Sequence, residues 1–248
     1  MFSKSTIKYI QSLQHKKFRD AEDAFVAEGP KLVNELLEGK IFGCKAVYAL
    51  VEWVEVQERS MLEILGDRLE VIKDFELEKV AGLSKPNKVV AVFEKKQINT
   101  QPKITGKLTL VLDDIQDPGN LGTIIRIADW FGIQNIICSQ QTADMYNPKV
   151  VQSTMASLQR VNLIYTDVLQ WIQSKPQIKK YAAALNGKPL KKYTSVNEGI
   201  VVIGNESKGI SNEILKTVDE MVTIPRIGDA ESLNAAVATG IILYEMTR

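Results

Sequence analysis

The last segment of the chain, VTIPRIGDAESLNAAVATGIILYEM (residues 222–246), joins a short apolar strand to a helix through a polar loop. The strand is predicted to end at Ile224, and the loop covers residues 226–231. Small residues crowd the following helix, which favours close packing. Ser232 is predicted to be its N-cap, because a hydroxyl there can accept a free backbone N–H of the first turn. Taken alone, the pattern indicates only a capped and tightly packed helix.

An earlier segment, DDIQDPGNLGTIIR (residues 113–126), has the same strand–loop–helix form. It follows Leu108–Leu112, a near-continuous apolar run typical of a strand in a parallel sheet. Asn120 is predicted to open the helix, and the glycines on either side leave the backbone accessible to a close partner. A helix N-terminus attracts anions, so a substrate phosphate is a reasonable guest.

Arg126 stands within an otherwise apolar part of this helix. An arginine is costly to bury unless it is paired or has a function. Two interpretations remain open from the residues alone. The side chain forms a structural ion pair with Asp114 or Asp129, or it contacts a ligand.

A third segment, VVIGNESKGIS (residues 201–211), again runs from a buried strand into a polar turn and a helix capped by Ser211. Gly204 permits close approach to a ligand, and Glu206 is suited to hold an ammonium or to orient Arg126. The plain alternative is an ordinary turn in which the glycines serve only the backbone.

The chain as a whole alternates helices and strands, which predicts an α/β protein. Residues 1–95 are sufficient for a small domain, residues 96–106 form a polar linker containing proline and glycine, and residues 107–248 form a second domain with a parallel sheet. Ligands of such sheets bind at the carboxyl ends of strands, so the three loops are predicted to converge there.

Composition excludes several classes of protein. The formal net charge is +1, so any nucleic-acid binding depends on local patches. With two distant cysteines and one histidine, the chain lacks a disulfide framework, a cysteine zinc site and a multi-histidine metal site. The sequence shows neither a signal segment nor an apolar span long enough for a membrane, and a cytoplasmic location is expected.

Basic residues concentrate in two places. The first 19 residues contain lysines and arginine without an acid, on a predicted amphipathic helix and the turn after it. Lys16, Lys17 and Arg19 in this turn are predicted to contact RNA phosphates, although such charge runs are usually solvated surfaces. A second stretch, residues 168–197, has six lysines and no acid, and is either another basic surface or a solvated loop.

The three loops, in this order, resemble the three motifs of the SpoU-type methyltransferases of the SPOUT class. The matching residues are DPGNLG…R (residues 117–126), GNESKG (residues 204–209) and IP…ESLN (residues 224–234). The front of the chain is similar, more loosely, to the ribosomal-protein-like RNA-binding domain that often precedes such a domain.

The resemblance implies a homodimer in which the small-residue last helix contributes to the interface. It also implies a deep trefoil knot, which no sequence pattern predicts physically. S-adenosylmethionine would lie in the knot, held mainly by backbone, and an RNA ribose would be methylated on its 2′-hydroxyl. By position, the implied cofactor contacts are Ala184, Leu185, Gly204, Asn205, Ile224 and Leu233.

The resemblance also implies the catalytic roles. Arg126 would position the RNA phosphate and ribose, since a guanidinium is a poor base. Asn120 would shape the turn and orient Arg126 or the substrate, and Glu206 would pair with either of them. Ser232 and Asn234 would hold the loop around the reacting ribose.

Alternative functions are kept open. The extra domain favours ribosomal RNA over tRNA as substrate. A non-catalytic RNA-binding protein of the same fold is the second class, and the retained polar residues of the three loops argue against it. A dinucleotide-dependent oxidoreductase is the third, and the absence of a glycine-rich dinucleotide fingerprint argues against it.

Overall fold

The computed structural model describes residues 2–248, and its strands and helices follow the predicted alternation. The strands are β1 Ala24–Glu28, β2 Cys44–Ala49, β3 Leu69–Val71, β4 Val89–Glu94, β5 Leu108–Asp113, β6 Asn135–Cys138, β7 Asn162–Tyr165, β8 Lys180–Pro189, β9 Gly199–Gly204 and β10 Glu220–Thr223. The helices are α1 Lys4–Ser12, α2 Lys16–Ala21, α3 Pro30–Gly39, α4 Val51–Val54, α5 Arg59–Leu65, α6 Asp74–Val80, α7 Pro118–Trp130, α8 Pro148–Thr154, α9 Val168–Gln173, α10 Asn212–Leu215 and α11 Ala235–Thr247.

The chain forms two compact units. The first comprises residues 1–97 and 146–159, and the second comprises residues 98–145 and 160–248. The sequence pattern gave no indication that residues 146–159 pack with the first unit.

The first unit contains a four-stranded sheet in the order β1-β4-β2-β3. β4 pairs antiparallel with β1 and β2, and β3 pairs parallel with β2. The segment 146–159 is held by aromatic and polar contacts. The ring centroids of Tyr146 and Phe25 are 5.0 Å apart, and the Gln159 amide donates to the carbonyl of Glu35 over 2.9 Å. A Cβ at Gly39 would lie 2.0 Å from the end of the Gln159 side chain, so a larger residue there would displace that side chain.

The second unit contains a six-stranded sheet in the order β10-β8-β9-β5-β6-β7, and its neighbouring strands pair parallel. The predicted parallel α/β sheet is therefore confirmed. Buried valines and isoleucines of the central strands, including Val111, Ile137 and Val202, form a core against one face. The strand order reverses between β5 and β9, where open α/β sheets form their ligand crevice.

The edge pair β8–β10 is interrupted. Met221 pairs with Ala182, but the next residue, Val222, pairs with Lys188, so residues 183–187 leave the ladder. Gly187 lies directly against β10, and a Cβ there would be 2.6 Å from backbone atoms of Met221 and Val222. The close passage of these two segments therefore requires glycine at this position.

Candidate functional site

The loops after β5 and β9 are tied together at the carboxyl edge of the second unit's sheet. The Asn205 side chain donates to the carbonyl of Asp114 over 2.8 Å. The Asp113 carboxylate, at the end of β5, accepts the backbone N–H of Ser211 over 2.8 Å. These bonds hold two of the three predicted loops side by side, as the strand order requires.

The first loop ends in a capped helix. α7 begins at Pro118, and the Asp117 carboxylate accepts the backbone N–H of Asn120 over 2.8 Å. The prediction that Asn120 opens the helix was therefore wrong, because Asn120 lies in the first turn. The Asp117 carboxylate satisfies one N–H of this helix end, and the binding of a substrate phosphate there stays a prediction.

Asn120 links all three loops through its side chain. Its amide nitrogen donates to Glu206 Oε1 over 2.6 Å, and its amide oxygen accepts from Asn234 Nδ2 over 2.8 Å. One residue from each segment thus lies in a single hydrogen-bond chain, Glu206–Asn120–Asn234. The expected convergence of the loops is observed as direct side-chain contact.

The N-cap of α11 is Asn234, and the prediction of Ser232 was wrong. Asn234 Oδ1 accepts from the backbone N–H groups of Ala236 and Val237 over 2.9 and 3.2 Å. Ser232 lies in the exposed loop two residues earlier, and its hydroxyl makes no hydrogen bond to any residue between 2 and 248. An asparagine cap was missed because serine and asparagine are equally good caps by residue type.

Arg126 is exposed on α7 and makes no hydrogen bond or ion pair with the rest of residues 2–248. Neither predicted ion pair, with Asp114 or with Asp129, is observed between residues 2 and 248, and the Asp129 carboxylate pairs with Arg160 over 2.8 Å. The expected link to Glu206 is likewise not observed, because Glu206 accepts from Asn120 instead. An exposed guanidinium presents its five donors to an incoming anion.

The second loop is built by Asn205. Its carbonyl oxygen Oδ1 accepts from the backbone N–H groups of Ser207 and Lys208 over 2.9 and 3.0 Å, which fixes the turn. A Cβ at Gly204 would lie 2.4 Å from backbone atoms of Gly209 and Ile210. Gly204 is therefore required by the protein's own loop, and its predicted contact with the cofactor stays a prediction.

The remaining predicted cofactor contacts lie in the middle of β8, directly after β10 or in the loop before α11. Ala184 and Leu185 are within the segment that leaves the β8 ladder, and Ile224 directly follows β10. Thr223 donates its hydroxyl to the carbonyl of Leu185 over 3.0 Å. Leu185 is 71% exposed and Leu233 is 47% exposed. Exposed leucines beside open backbone suit a ligand with an apolar ring.

The predicted RNA contacts in the first unit divide into two groups. Lys16 and Lys17 are exposed, and Lys16 pairs with Asp20 over 2.5 Å. Arg19 is 1% exposed and donates to the carbonyls of Leu13 and Gln14 over 2.9 and 2.8 Å. The prediction was wrong for Arg19, because its guanidinium binds the end of α1 and does not face solvent.

Three lysines of the second basic stretch have structural partners. Lys180 is buried and donates to the carbonyl of Ile178 over 2.8 Å. Lys179 and Lys188 contact the Glu220 carboxylate over 2.5 and 3.2 Å, and the Tyr193 hydroxyl donates to the same group. Hydrogen bonds from these groups lower the pKa of Glu220 to about 2. Burial and the neighbouring carboxylate raise the pKa of Tyr193 to about 12. The network joins β8 to β10 and gives Lys179 and Lys188 a structural role.

The geometry agrees with the family models that match the sequence. Residues 107–244 match the SpoU rRNA methylase family, and residues 4–91 match the MRM3-like substrate binding domain. The chain belongs to the SpoU rRNA methylase family. The resemblance drawn from the three loops is confirmed.

Several SpoU relatives match along nearly the whole chain. The 23S rRNA (guanosine(2553)-2′-O)-methyltransferase RlmP of Bacillus subtilis is 29% identical, with 97% of this chain and 95% of the relative covered. A putative TrmH-family RNA methyltransferase of Porphyromonas gingivalis is 33% identical, with a TM-score of 0.83. The match covers 99% of this chain and 98% of that structure's chain. The SpoU methyltransferase AviRb of Streptomyces viridochromogenes was solved in complex with S-adenosylmethionine. It is 25% identical, with a TM-score of 0.84, and the match covers 99% of this chain and 97% of that structure's chain.

In the part of the chain that the structure describes, histidines, cysteines and carboxylates form no group of three or more that could bind a metal. Between residues 2 and 248, no helix has the length and apolar character needed to cross a membrane.

Proposed function

We propose that this protein transfers a methyl group from S-adenosylmethionine to a ribose 2′-hydroxyl of ribosomal RNA. The observation that carries the proposal is the hydrogen-bond chain Glu206–Asn120–Asn234 at the carboxyl edge of a parallel sheet, in a member of the SpoU family. Ribosomal RNA is preferred over tRNA because relatives with the same two-part organisation, such as RlmP, are named for 23S rRNA. The cytoplasm is the proposed location.

The residues at this edge fit S-adenosylmethionine. Residues 183–187 do not pair with β10, so their backbone groups lie outside the β8–β10 ladder. Exposed Leu185 and Leu233 offer apolar contacts. Ala184, Gly204, Asn205 and Ile224 are proposed to complete the binding set. The passage of β10 against Gly187 is where we place the trefoil knot. When bound, the cofactor supplies an electrophilic methyl group on its sulfonium.

The chain's own residues are proposed to act on the RNA. The 2′-hydroxyl is a weak nucleophile until its proton leaves as the new O–CH3 bond forms. Arg126 remains charged, so it binds the RNA phosphate next to the target ribose, and that phosphate accepts the proton. Asn120, Glu206 and Asn234 hold the three loops in register around the ribose, and Ser232 lies in the loop that covers it. Holding both reactants in attack geometry supplies much of the rate.

A homodimer is part of the proposal. Val237, Ile241 and Tyr244 are exposed and follow each other at spacings of four and three on α11, so they form one apolar helix face. Trp130, which is 84% exposed, ends the neighbouring helix α7. Contiguous exposed apolar residues of this kind mark protein interfaces.

The test is methyl transfer from labelled S-adenosylmethionine to unmodified ribosomal RNA and tRNA, with nucleoside analysis of the product. Wild type is expected to yield a 2′-O-methylated nucleoside in ribosomal RNA, and Arg126→Ala is expected to bind the cofactor but to give no product. Cofactor binding without product on any RNA, including ribosome assembly intermediates, would favour the non-catalytic alternative. Product in tRNA alone would replace the substrate assignment.

A further inference from the structure

A cavity of about 460 Å3 lies within the first unit, and none of the residues that line it is assigned to methyl transfer. Its apolar walls include Val26, Leu83 and Pro148. Polar side chains converge on it from α8 and from the segments around β1: Gln14, Glu28, Asn147, Lys149 and Gln152. A pocket of a few hundred Å3 with apolar walls and a few polar groups is typical of a small-ligand site.

Glu28 is the most buried polar group of this cavity, with 5% of its surface exposed. Its Oε1 accepts the backbone N–H of Gly82 over 2.8 Å, and its Oε2 accepts that of Leu83 over 3.2 Å. A carboxylate has about four lone-pair positions, so each oxygen can accept one further bond. Burial raises the pKa of Glu28, while the two backbone bonds oppose the rise.

Side chains with hydrogen-bond donors line the same cavity as this carboxylate. Gly82 keeps the space open beside it, because a Cβ there would lie 3.0 Å from both Gln14 Nε2 and Glu28 Oε1. Gln152 is half-buried in the wall, and its side chain makes no hydrogen bond with residues 2–248. Lys149 adds an ammonium at the rim. The cavity therefore combines the two acceptor oxygens of the buried Glu28 carboxylate with the side-chain donors of Gln152 and Lys149.

We propose that this cavity binds an unstacked guanine of the RNA substrate. The proposal rests on the function proposed above. Guanine presents two adjacent donors, N1–H and the N2 amino group, which match the two free lone pairs of Glu28. Its O6 is an acceptor for the amide of Gln152 or for the ammonium of Lys149. Adenine would place a ring-nitrogen lone pair against the carboxylate, which is repulsive. Proteins that recognise RNA sequence commonly bind unstacked bases of single-stranded segments.

The surroundings favour RNA over a free nucleotide. Lys16 and Lys17 follow Gln14 at a spacing of two and three residues, Lys31 follows Glu28 by three, and Lys85 follows Leu83 by two. All four lysines are exposed. Exposed cations close in sequence to the lining residues are suited to neutralise the phosphates of flanking nucleotides, and a free nucleotide has no such neighbours.

The test is binding of the full-length protein to labelled seven-nucleotide RNAs that carry guanosine, inosine or adenosine between uridines. Wild type is expected to bind the guanosine RNA at least about ten-fold more tightly than the adenosine RNA, with inosine between them because it lacks the N2 amino group. Glu28→Gln and Gln152→Leu are expected to reduce this preference to less than about three-fold. Gln97→Leu, an exposed position of the same unit, is the matched control and retains it.

Glu28 also accepts the backbone N–H of Gly82, so Glu28→Gln could unfold the protein. In that case Gln152→Leu alone tests the proposal. Equal affinities of wild type for the guanosine and adenosine RNAs would overturn the proposal, as would a preference that survives in both variants. Binding of guanosine monophosphate without any preference among the RNAs would reassign the cavity to a free nucleotide. Cofactor binding and methyl transfer are measured separately, so failure of the proposed function is distinguished from failure of base recognition.

Discussion

Asn120 Nδ2 lies 2.6 Å from Glu206 Oε1, which joins the first turn of α7 to the turn after β9. The two residues are 86 positions apart in the sequence. An amide can donate to a carboxylate and accept from Asn234 at the same time, which an aspartate at position 120 cannot do. The side-chain amide of Asn120 therefore connects the three loops by hydrogen bonds.

Asn120→Asp is expected to lower methyl transfer by about 10²-fold, because two carboxylates would face each other and the loops would shift. The double variant Asn120→Asp with Glu206→Gln restores a donor–acceptor pair, and about ten-fold of the activity is expected to return. The measurement is kcat/KM with ribosomal RNA, with Asn212→Asp on α10 as the control. Equal activities of the single and double variants would show that the hydrogen bond does not position the site.

Asn234 has two separable roles, as the cap of α11 and as a donor to Asn120. Asn234→Ala is expected to lower the free energy of unfolding by about 1 kcal/mol and to lower turnover. Asn234→Asp keeps the cap but loses the donor, so stability should be retained while turnover falls. Urea unfolding and methyl-transfer assays measure the two effects. Ser232→Ala is the control for the cap, and a stability loss in it would contradict the observed cap.

Local patterns predicted the elements well, because apolar runs bounded by proline and glycine define strands such as β6 and helices such as α7. They could not predict which of several good caps is used at α11. They also could not assign residues 146–159 to the first unit, because the packing of Tyr146 on Phe25 joins distant parts of the chain. For the site, the loops were predicted, but the role of Gly187 appears only when β10 lies against it.

Arg19 and Lys17 are two residues apart in the sequence but are expected to behave differently. Arg19→Met removes the donor from two carbonyls in a buried environment, so the free energy of unfolding should fall by about 2–4 kcal/mol. Lys17→Met should leave stability within about 0.5 kcal/mol but weaken RNA binding. Its loss should reduce the slope of log affinity against log salt by about 0.7–0.9 if it contacts one phosphate. An unchanged slope would remove Lys17 from the RNA surface.

Glu220 should make stability depend on pH in the acid range. Its pKa is about 2 in the folded protein, below its ordinary value of 4.5, because Lys179, Tyr193 and Lys188 bind its charged form. The stabilisation is therefore complete above pH 4.5 and is lost as the pH falls towards 2. The difference in unfolding free energy between wild type and Glu220→Gln should be largest at pH 7 and should shrink below pH 4.5. Glu213→Gln, exposed on α10, is the control, and a pH-independent difference would refute the role of the charge.

The apolar face of α11 should determine the oligomeric state. Ile241 is 39% exposed in the middle of this face, and α11 packs on α7, where Gly240 faces the side chain of Ile127. Ile241→Glu would place a charge in the proposed interface, and burial of an unpaired charge is strongly unfavourable. Sedimentation is expected to show a dimer for wild type and a monomer for this variant, with turnover reduced as well. Val71→Glu, at an exposed apolar position on β3 of the first unit, should remain dimeric. If Ile241→Glu remained dimeric too, the interface would have to lie on another surface.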